Sequence, residues 1–224
     1  MKRMFFIALL LLSGAPALAD DYAALFDEAA AAIEWDIEKD WAFTETRRSD
    51  DKLWVSRFDP RKAGSARWTL ISVDGRAPDD SELGEFEDDK EDYEASGNSN
   101  RIKIVSTDTL ELIEETDQYW RFSFVPDEDE VEFVESVDST VTIVKDGPFI
   151  ETINLRNHSD IKPGFGTKIG TFHFRMEFAA AVVNGPIVPK HMKIRVSGRA
   201  LLFIGFDETE LIEYSDFEYV GQEI

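Results

Sequence analysis

The chain has no cysteine among its 224 residues, which excludes structural disulfides, thiol nucleophiles and cysteine–zinc sites. Positive charge is also scarce, since 24 lysines and arginines stand against 46 aspartates and glutamates, for a formal net charge of −22. Such a surface repels phosphate backbones, so we expect no nucleic-acid partner. After the N-terminus no apolar run is long enough to cross a membrane, so no integral membrane segment is expected in the mature chain.

The first nineteen residues have the pattern of a secretory signal peptide. Lys2 and Arg3 give a positive start, an apolar run follows, and small residues end the segment at Ala19. The apolar run is too short to span a bilayer. We expect cleavage after Ala19, a periplasmic or secreted location, and a mature chain of residues 20–224 that forms a single β-rich domain.

Two segments have helical character and most of the others are typical of strands. Residues 23–35 are rich in alanine, and residues 78–93 are acidic, with Asp79 and Glu82 at the spacing of a capping box. Residues 96–100 have the composition of a flexible linker. The predicted strands, in chain order, are residues 41–47, 53–58, 67–73, 109–115, 119–125, 140–145, 149–155, 170–178, 191–203 and 211–220.

The strands follow one another with short turns between them, which favours an antiparallel meander over βαβ units. The sequence therefore predicts an α+β fold, namely a curved antiparallel sheet, or half-open β-barrel, covered by one or two helices. Residues 170–178 show the clearest alternation. There the even-numbered residues are expected to face the core, and Thr171, His173, Arg175 and Glu177 to face away from it.

No motif in the sequence carries a specific chemistry. His158, Ser159 and Asp160 are the residue types of a catalytic triad, but their adjacency argues against convergence in space, and no Gly-x-Ser-x-Gly elbow is present. The remaining histidines, His173 and His191, do not have zinc-protease spacing, and the acidic runs lack the calcium-loop pattern. We predict no catalytic residue, metal or cofactor, and a hydrolase is only the third hypothesis for the function.

Aromatic residues on strands are the remaining unusual feature. They form either the packed core of a curled sheet or the lining of an apolar groove, and both hypotheses stay open. On the groove hypothesis the protein is a soluble periplasmic binding protein, with a lipid or a lipidated protein as its candidate partner. On the alternative it is a non-catalytic structural or interaction protein with a fully packed sheet. The candidate groove residues are Trp54, Trp68, Trp120, Phe172, Phe174 and Phe178.

The order of these elements, from the signal peptide and helix through long strands, an acidic helix and further strands, resembles the periplasmic lipoprotein-carrier superfamily with the LolA/LolB-like fold. The resemblance covers most of residues 22–220 and rests on element order and strand character. It implies an incomplete barrel, closed by helices, that holds acyl chains in an aromatic-lined cavity. No functional residue of that family is matched to a position here. Residues 68–78 and 185–200 also resemble segments of uncharacterised secreted bacterial proteins.

Overall fold

The structure is a computed structural model that describes residues 18–95, 104–131, 133–164, 166–201 and 204–221. The predicted linker and most of the predicted signal peptide lie outside these ranges. The helices are α1 (Leu18–Ala31), α2 (Ile37–Asp40) and α3 (Asp80–Ala95). The strands are β1 (Trp41–Arg48), β2 (Leu53–Phe58), β3 (Trp68–Val73), β4 (Glu111–Glu115), β5 (Tyr119–Phe124), β6 (Val137–Val144), β7 (Phe149–Asn157), β8 (Ile161–Gly164), β9 (Thr167–Ala180), β10 (Ile187–Ala200) and β11 (Ile204–Tyr219).

The eleven strands that the described residues form belong to one antiparallel sheet, with the order β3-β2-β1-β11-β10-β9-β7-β6-β5-β4 and β8 paired to β9. The prediction of an antiparallel sheet with helices is confirmed. Strand β1 pairs with β11, so the first and last of these strands meet inside the sheet. Among the described residues the sheet is open, with β3 and β4 at its two ends.

Helix α1 covers the part of the sheet that contains β4 to β7. Phe26 and Ala29 of the helix, and Ile33 just after its end, are buried in one cluster with Phe122 and Ile153 of the strands. Phe26 and Ala29 are three residues apart, so they lie on one face of α1. The alanine-rich segment therefore forms a helix because its few large apolar residues meet the sheet on that face.

A second core lies at the other end of the same sheet face, which we call the inner face. Partners in an antiparallel ladder point to the same side, and Phe43, Phe58 and Trp68 are such partners. The Phe43 ring lies 5.0 Å from that of Phe58, and the Phe58 ring lies 5.0 Å from that of Trp68. Ile37 of α2 and Phe86 of α3 are buried in this core.

The start of α3 was predicted correctly from the residues around it. The backbone N–H of Glu82 donates to the Asp79 carboxylate at 3.0 Å, and the Asp79 N–H donates to the Glu82 carboxylate at 2.9 Å. This is the reciprocal capping box that the spacing predicted. The turn before it also follows the sequence, because Asp74 and Gly75 both have positive φ, at 51° and 76°.

The three longest strands extend beyond their predicted starts. Strand β9 begins at Thr167, β10 at Ile187 and β11 at Ile204, whereas the alternation predicted starts at residues 170, 191 and 211. The β9–β10 ladder shifts register near Ser197, and such a bulge interrupts the period of two. Strand β8 was not predicted, and α1 begins at Leu18, five residues before the predicted helix.

Candidate functional site

Seven apolar side chains form a continuous stripe on the inner face of β9, β10 and β11. Phe174 pairs with Ile194 across the β9–β10 ladder, and the same ladder joins Met176 to Met192. Each of the seven is half-buried rather than buried. We call this set the inner stripe, and it consists of Phe172, Phe174, Met176, Met192, Ile194, Val196 and Ile212.

The inner stripe lies between the two cores. Its β9 members pack against the core under α1. Met192, Ile194, Val196 and Ile212 belong to neither of the two buried clusters. The helices therefore cover the ends of the inner face more fully than its centre, and the centre keeps apolar surface in contact with solvent.

Charged side chains border the inner stripe on β11 and β1. Val196 is opposite Glu208 and Ile194 is opposite Glu210, so two of the three stripe rows end in a carboxylate. The third row continues through Ile212 to Arg47 of β1. The stripe thus has an apolar floor and one polar edge, which is the arrangement that orients an amphipathic ligand.

At its Met176 and Met192 end, the inner stripe adjoins a cavity of about 180 Å³ between the sheet and the chain that joins α1 to α2. Trp35 and Ile37 line this cavity from the helical side. The Trp35 ring lies 5.5 Å from that of Phe178 in an edge-to-face arrangement, which holds the indole against the sheet. An apolar group on the stripe therefore has a partly open cavity beside it.

Helix α3 is joined to the sheet mainly by ion pairs. Its exposed face is acidic, and Phe86 is its only apolar side chain that is buried among the described residues. Among the described residues, four ion pairs connect it to β1, to the turn between β1 and β2 and to the turn before the helix: Arg76–Glu82 at 2.6 Å, Lys52–Glu85 at 2.9 Å, Arg47–Asp89 at 3.0 Å and Lys90–Glu45 at 2.9 Å.

One of these pairs is buried. The side chains of Lys90 and Glu45 are only 7% and 10% exposed. The ammonium group of Lys90 also lies 4.0 Å from the centre of the Trp68 ring and 5.5 Å from that of Phe86. A charged pair is tolerated here because each partner neutralises the other and the aromatic faces supply further attraction.

A second cavity, of about 270 Å³, lies between α3 and the first two strands. Trp54 and Phe86 stack across it with ring centres 6.4 Å apart, and Arg47 lines it. Burial lowers the pKa of Arg47, but a hydrogen bond to Glu210 and the charges of Glu210 and Asp89 outweigh this effect, so the pKa is raised. The arginine therefore stays charged and connects β1 to β11 and α3.

The structure brings only some of the predicted groove residues together. Phe172 and Phe174 belong to the inner stripe, while Trp54 lies by the cavity under α3. Trp68 and Phe178 are 7% and 2% exposed and belong to the two cores.

Trp120, on β5, is not a member of the inner stripe and is half-buried against the core under α1. Its indole N–H donates to Glu115 at 3.2 Å, and Lys145 lies over its ring. The aliphatic members of the stripe were not predicted as groove residues, because only aromatic residues were considered as candidates; they are Met176, Met192, Ile194, Val196 and Ile212. Their period-two spacing was the signal that could have identified them.

The three adjacent residues of triad type, His158, Ser159 and Asp160, do not converge on one another. His158, Ser159 and Asp160 are exposed at the bend between β7 and β8, and Asp160 pairs with Lys168 at 2.6 Å rather than with the histidine. His173 contacts Asn154 at 2.7 Å on the outer face of the sheet. Within the described ranges, no group of three or more histidine, aspartate or glutamate side chains is arranged to hold a metal ion.

Comparisons of the chain with protein-family models, with curated proteins and with solved structures give no match. No helix in the described part of the chain combines the length and the apolar character needed to cross a bilayer.

Proposed function

We propose that the protein is a non-catalytic binding protein that holds an apolar chain, such as an acyl chain of a lipid or of a lipidated protein, on the inner stripe. The single observation that carries the proposal is a continuous row of apolar side chains that is left half-buried between two well-packed cores. A sheet that only served as a scaffold would be expected to close over this surface, because exposed apolar area raises the free energy of the folded state.

The arrangement suits a ligand with one apolar and one polar end. The apolar part would lie along the floor formed by Phe174 and Ile194 and reach the cavity beside Trp35. The polar end would remain near Glu210 and Arg47, where charged groups meet solvent. In this proposal the curved sheet acts as a half-open barrel, and the helices serve as its walls.

The energy available is sufficient for useful affinity. Moving one methylene from water to an apolar surface contributes ~0.8 kcal/mol, so a chain of about 14 carbons would contribute about 10 kcal/mol if fully covered. Ordering of the ligand and incomplete coverage reduce this figure. Micromolar binding, which requires about 8 kcal/mol, lies within that range.

The proposal places the protein outside the cytoplasm, as the signal-peptide pattern predicts. N-terminal sequencing of the protein from a periplasmic extract is expected to begin at Asp20. An intact Met1 on protein from the cytoplasmic fraction would contradict this part of the proposal.

Titration with a fatty acid or a phospholipid tests binding directly, with tryptophan fluorescence as the signal. Trp35 lines the adjoining cavity, so its emission is expected to change as the site fills. Native mass spectrometry of the purified protein provides a second measurement, because a lipid that remains bound adds its mass.

A matched pair of variants locates the site. Ile194→Asn places a polar amide in the centre of the stripe and is expected to weaken binding at least tenfold. Ile113→Asn makes the same change at a residue that is 54% exposed on β4, and it should leave binding unchanged. Equal affinity for both variants, or no saturable change with the unmodified protein, would favour the alternative of an interaction protein without a ligand groove.

A further inference from the structure

The outer face of β7, β9 and β10 carries a block of side chains whose charge is opposite to that of the chain as a whole. Six positions form two adjacent rows across these three strands. Four are cations, one is a histidine, one is an amide, and none is acidic, although acids outnumber bases by 46 to 24 in the chain. We call them the outer block, and they are Asn154, Arg156, His173, Arg175, Lys193 and Arg195.

The ladder places like charges next to one another in this block. Arg175 is directly opposite Lys193, and His173 stands between Arg156 and Arg195 in the neighbouring row. Like charges at directly opposed positions destabilise a sheet. A local arrangement that opposes folding in this way is typical of a functional site.

Acidic neighbours neutralise only part of the block. Arg175 donates to Glu177 at 2.6 Å, and Arg195 pairs with Asp207 at 3.2 Å. Arg156 is opposite Asp138 in the β6–β7 ladder, but no ion pair joins them, and among the described residues neither Arg156 nor Lys193 has an ion-pair or side-chain hydrogen-bond partner.

These two cations flank the centre of the block. His173 is hydrogen-bonded to Asn154 at 2.7 Å, and the side chains of Arg156 and Lys193 are both exposed beside it. Burial lowers the pKa of His173, and the charges of Lys193, Arg156 and Arg175 lower it further. His173 therefore experiences a positive electrostatic potential although the net charge of the chain is −22. Salt screens the charges of acidic residues that lie more than about 8 Å away.

We propose that the outer block binds a phosphate-type oxyanion, with Arg156 and Lys193 as its principal charged donors. Guanidinium and ammonium groups are the side chains that bind phosphate oxygens most strongly, and Asn154 adds an amide donor at the same place. The site lies on the face opposite the inner stripe, so it does not depend on the function proposed above. The phosphate can belong to a soluble phosphate ester or to a lipid headgroup.

The test is a titration with inorganic phosphate at constant ionic strength, with chloride as the reference anion. The ring signals of His173 in NMR spectra are expected to shift saturably, and its pKa to rise, because a bound anion favours the protonated imidazole. Arg156→Gln with Lys193→Gln should weaken phosphate binding at least tenfold while the protein remains folded, since both side chains are exposed. Lys39→Gln removes an exposed cation from α2 and should leave binding unchanged.

Vesicles identify the source of the phosphate group. Binding to vesicles that contain phosphatidylglycerol, but not to those of phosphatidylcholine alone, together with the phosphate response, would support a lipid headgroup. A phosphate response without vesicle binding would support a soluble phosphate ester. The proposal is wrong if phosphate gives no more shift at His173 than chloride does, or if the double variant responds as the unmodified protein does.

Discussion

Replacing Lys90 by methionine should destabilise the protein strongly, because it leaves the buried carboxylate of Glu45 without its ion-pair partner. Both side chains are at most 10% exposed, and their charged groups are 2.9 Å apart. Breaking a buried ion pair by removal of one partner costs about 3–5 kcal/mol. The contact between Lys90 and the Trp68 ring, at 4.0 Å, is lost as well.

This loss would be a large part of the stability of the domain. Domains of this kind have free energies of unfolding of about 5–15 kcal/mol. Urea denaturation followed by circular dichroism measures the change, and the midpoint should fall while the slope stays the same. Lys39→Met removes an exposed lysine of α2 and should change the stability by less than about 0.5 kcal/mol.

The double variant Lys90→Met with Glu45→Leu separates the charge effect from packing. Replacing both partners by apolar groups of similar size removes the unpaired charge, so the stability should return to within about 1 kcal/mol of that of the unmodified protein. If the single variant costs less than about 1 kcal/mol, or if the double variant is as unstable as the single one, the buried pair does not hold α3 on the sheet.

Three further predictions concern the sheet and α3. In urea denaturation, Phe178→Ala should lower the free energy of unfolding by about 3–5 kcal/mol because Phe178 is 2% exposed. Phe174→Ala should lower it clearly less because Phe174 is half-buried. Equal losses would mean that the inner stripe is as well packed as the core. Asp79→Ala removes the capping carboxylate and should cost about 1 kcal/mol, and an unchanged midpoint would show that the cap contributes nothing. The pKa of Glu82 is lowered, first by the side-chain hydrogen bond from Arg76 and then by the hydrogen bond from the Asp79 backbone N–H. The contribution of Glu82 to stability is therefore complete above the pKa that Glu82 has in the unfolded chain. It is lost as the pH falls through the lower pKa of Glu82 in the folded protein. Glu82→Gln should therefore flatten the acid side of the stability profile, and a parallel shift of the whole profile would contradict this.

The features that the sequence predicted well depend on neighbouring residues. The capping box at Asp79 and Glu82 involves residues three apart, and the turn at Asp74 and Gly75 requires only local positive φ. The alternation of residues 170–178 correctly predicted that Phe174 and Arg175 point to opposite faces of the sheet. In both ladders, each of the two pairs with residues that lie on its own face. Local chemistry of this kind is visible without knowledge of the fold.

The features that it did not predict depend on strand order. Glu45 and Lys90 are 45 positions apart, and only the packing of α3 over β1 brings them together. The aromatic residues Trp68 and Phe178 are equally suited to a core or a groove. Both belong to the core because the helices cover this part of the sheet. Burial of a strand residue is set by what covers its face, which the residue's own neighbours do not encode.

The same period of two produces both proposed sites from the same strands. Phe174 of β9 and Ile194 of β10 point inward. Arg175, which follows Phe174, and Lys193, which precedes Ile194, point outward. A slip of one residue would place these two cations on the apolar face, which strongly fixes the register. Since the two sets of side chains lie on opposite faces, Ile194→Asn should leave the phosphate response of the outer block unchanged, and Lys193→Gln should leave acyl binding unchanged. Loss of both acyl binding and phosphate binding in either variant would show that the register itself had changed. The two faces would then form one coupled site.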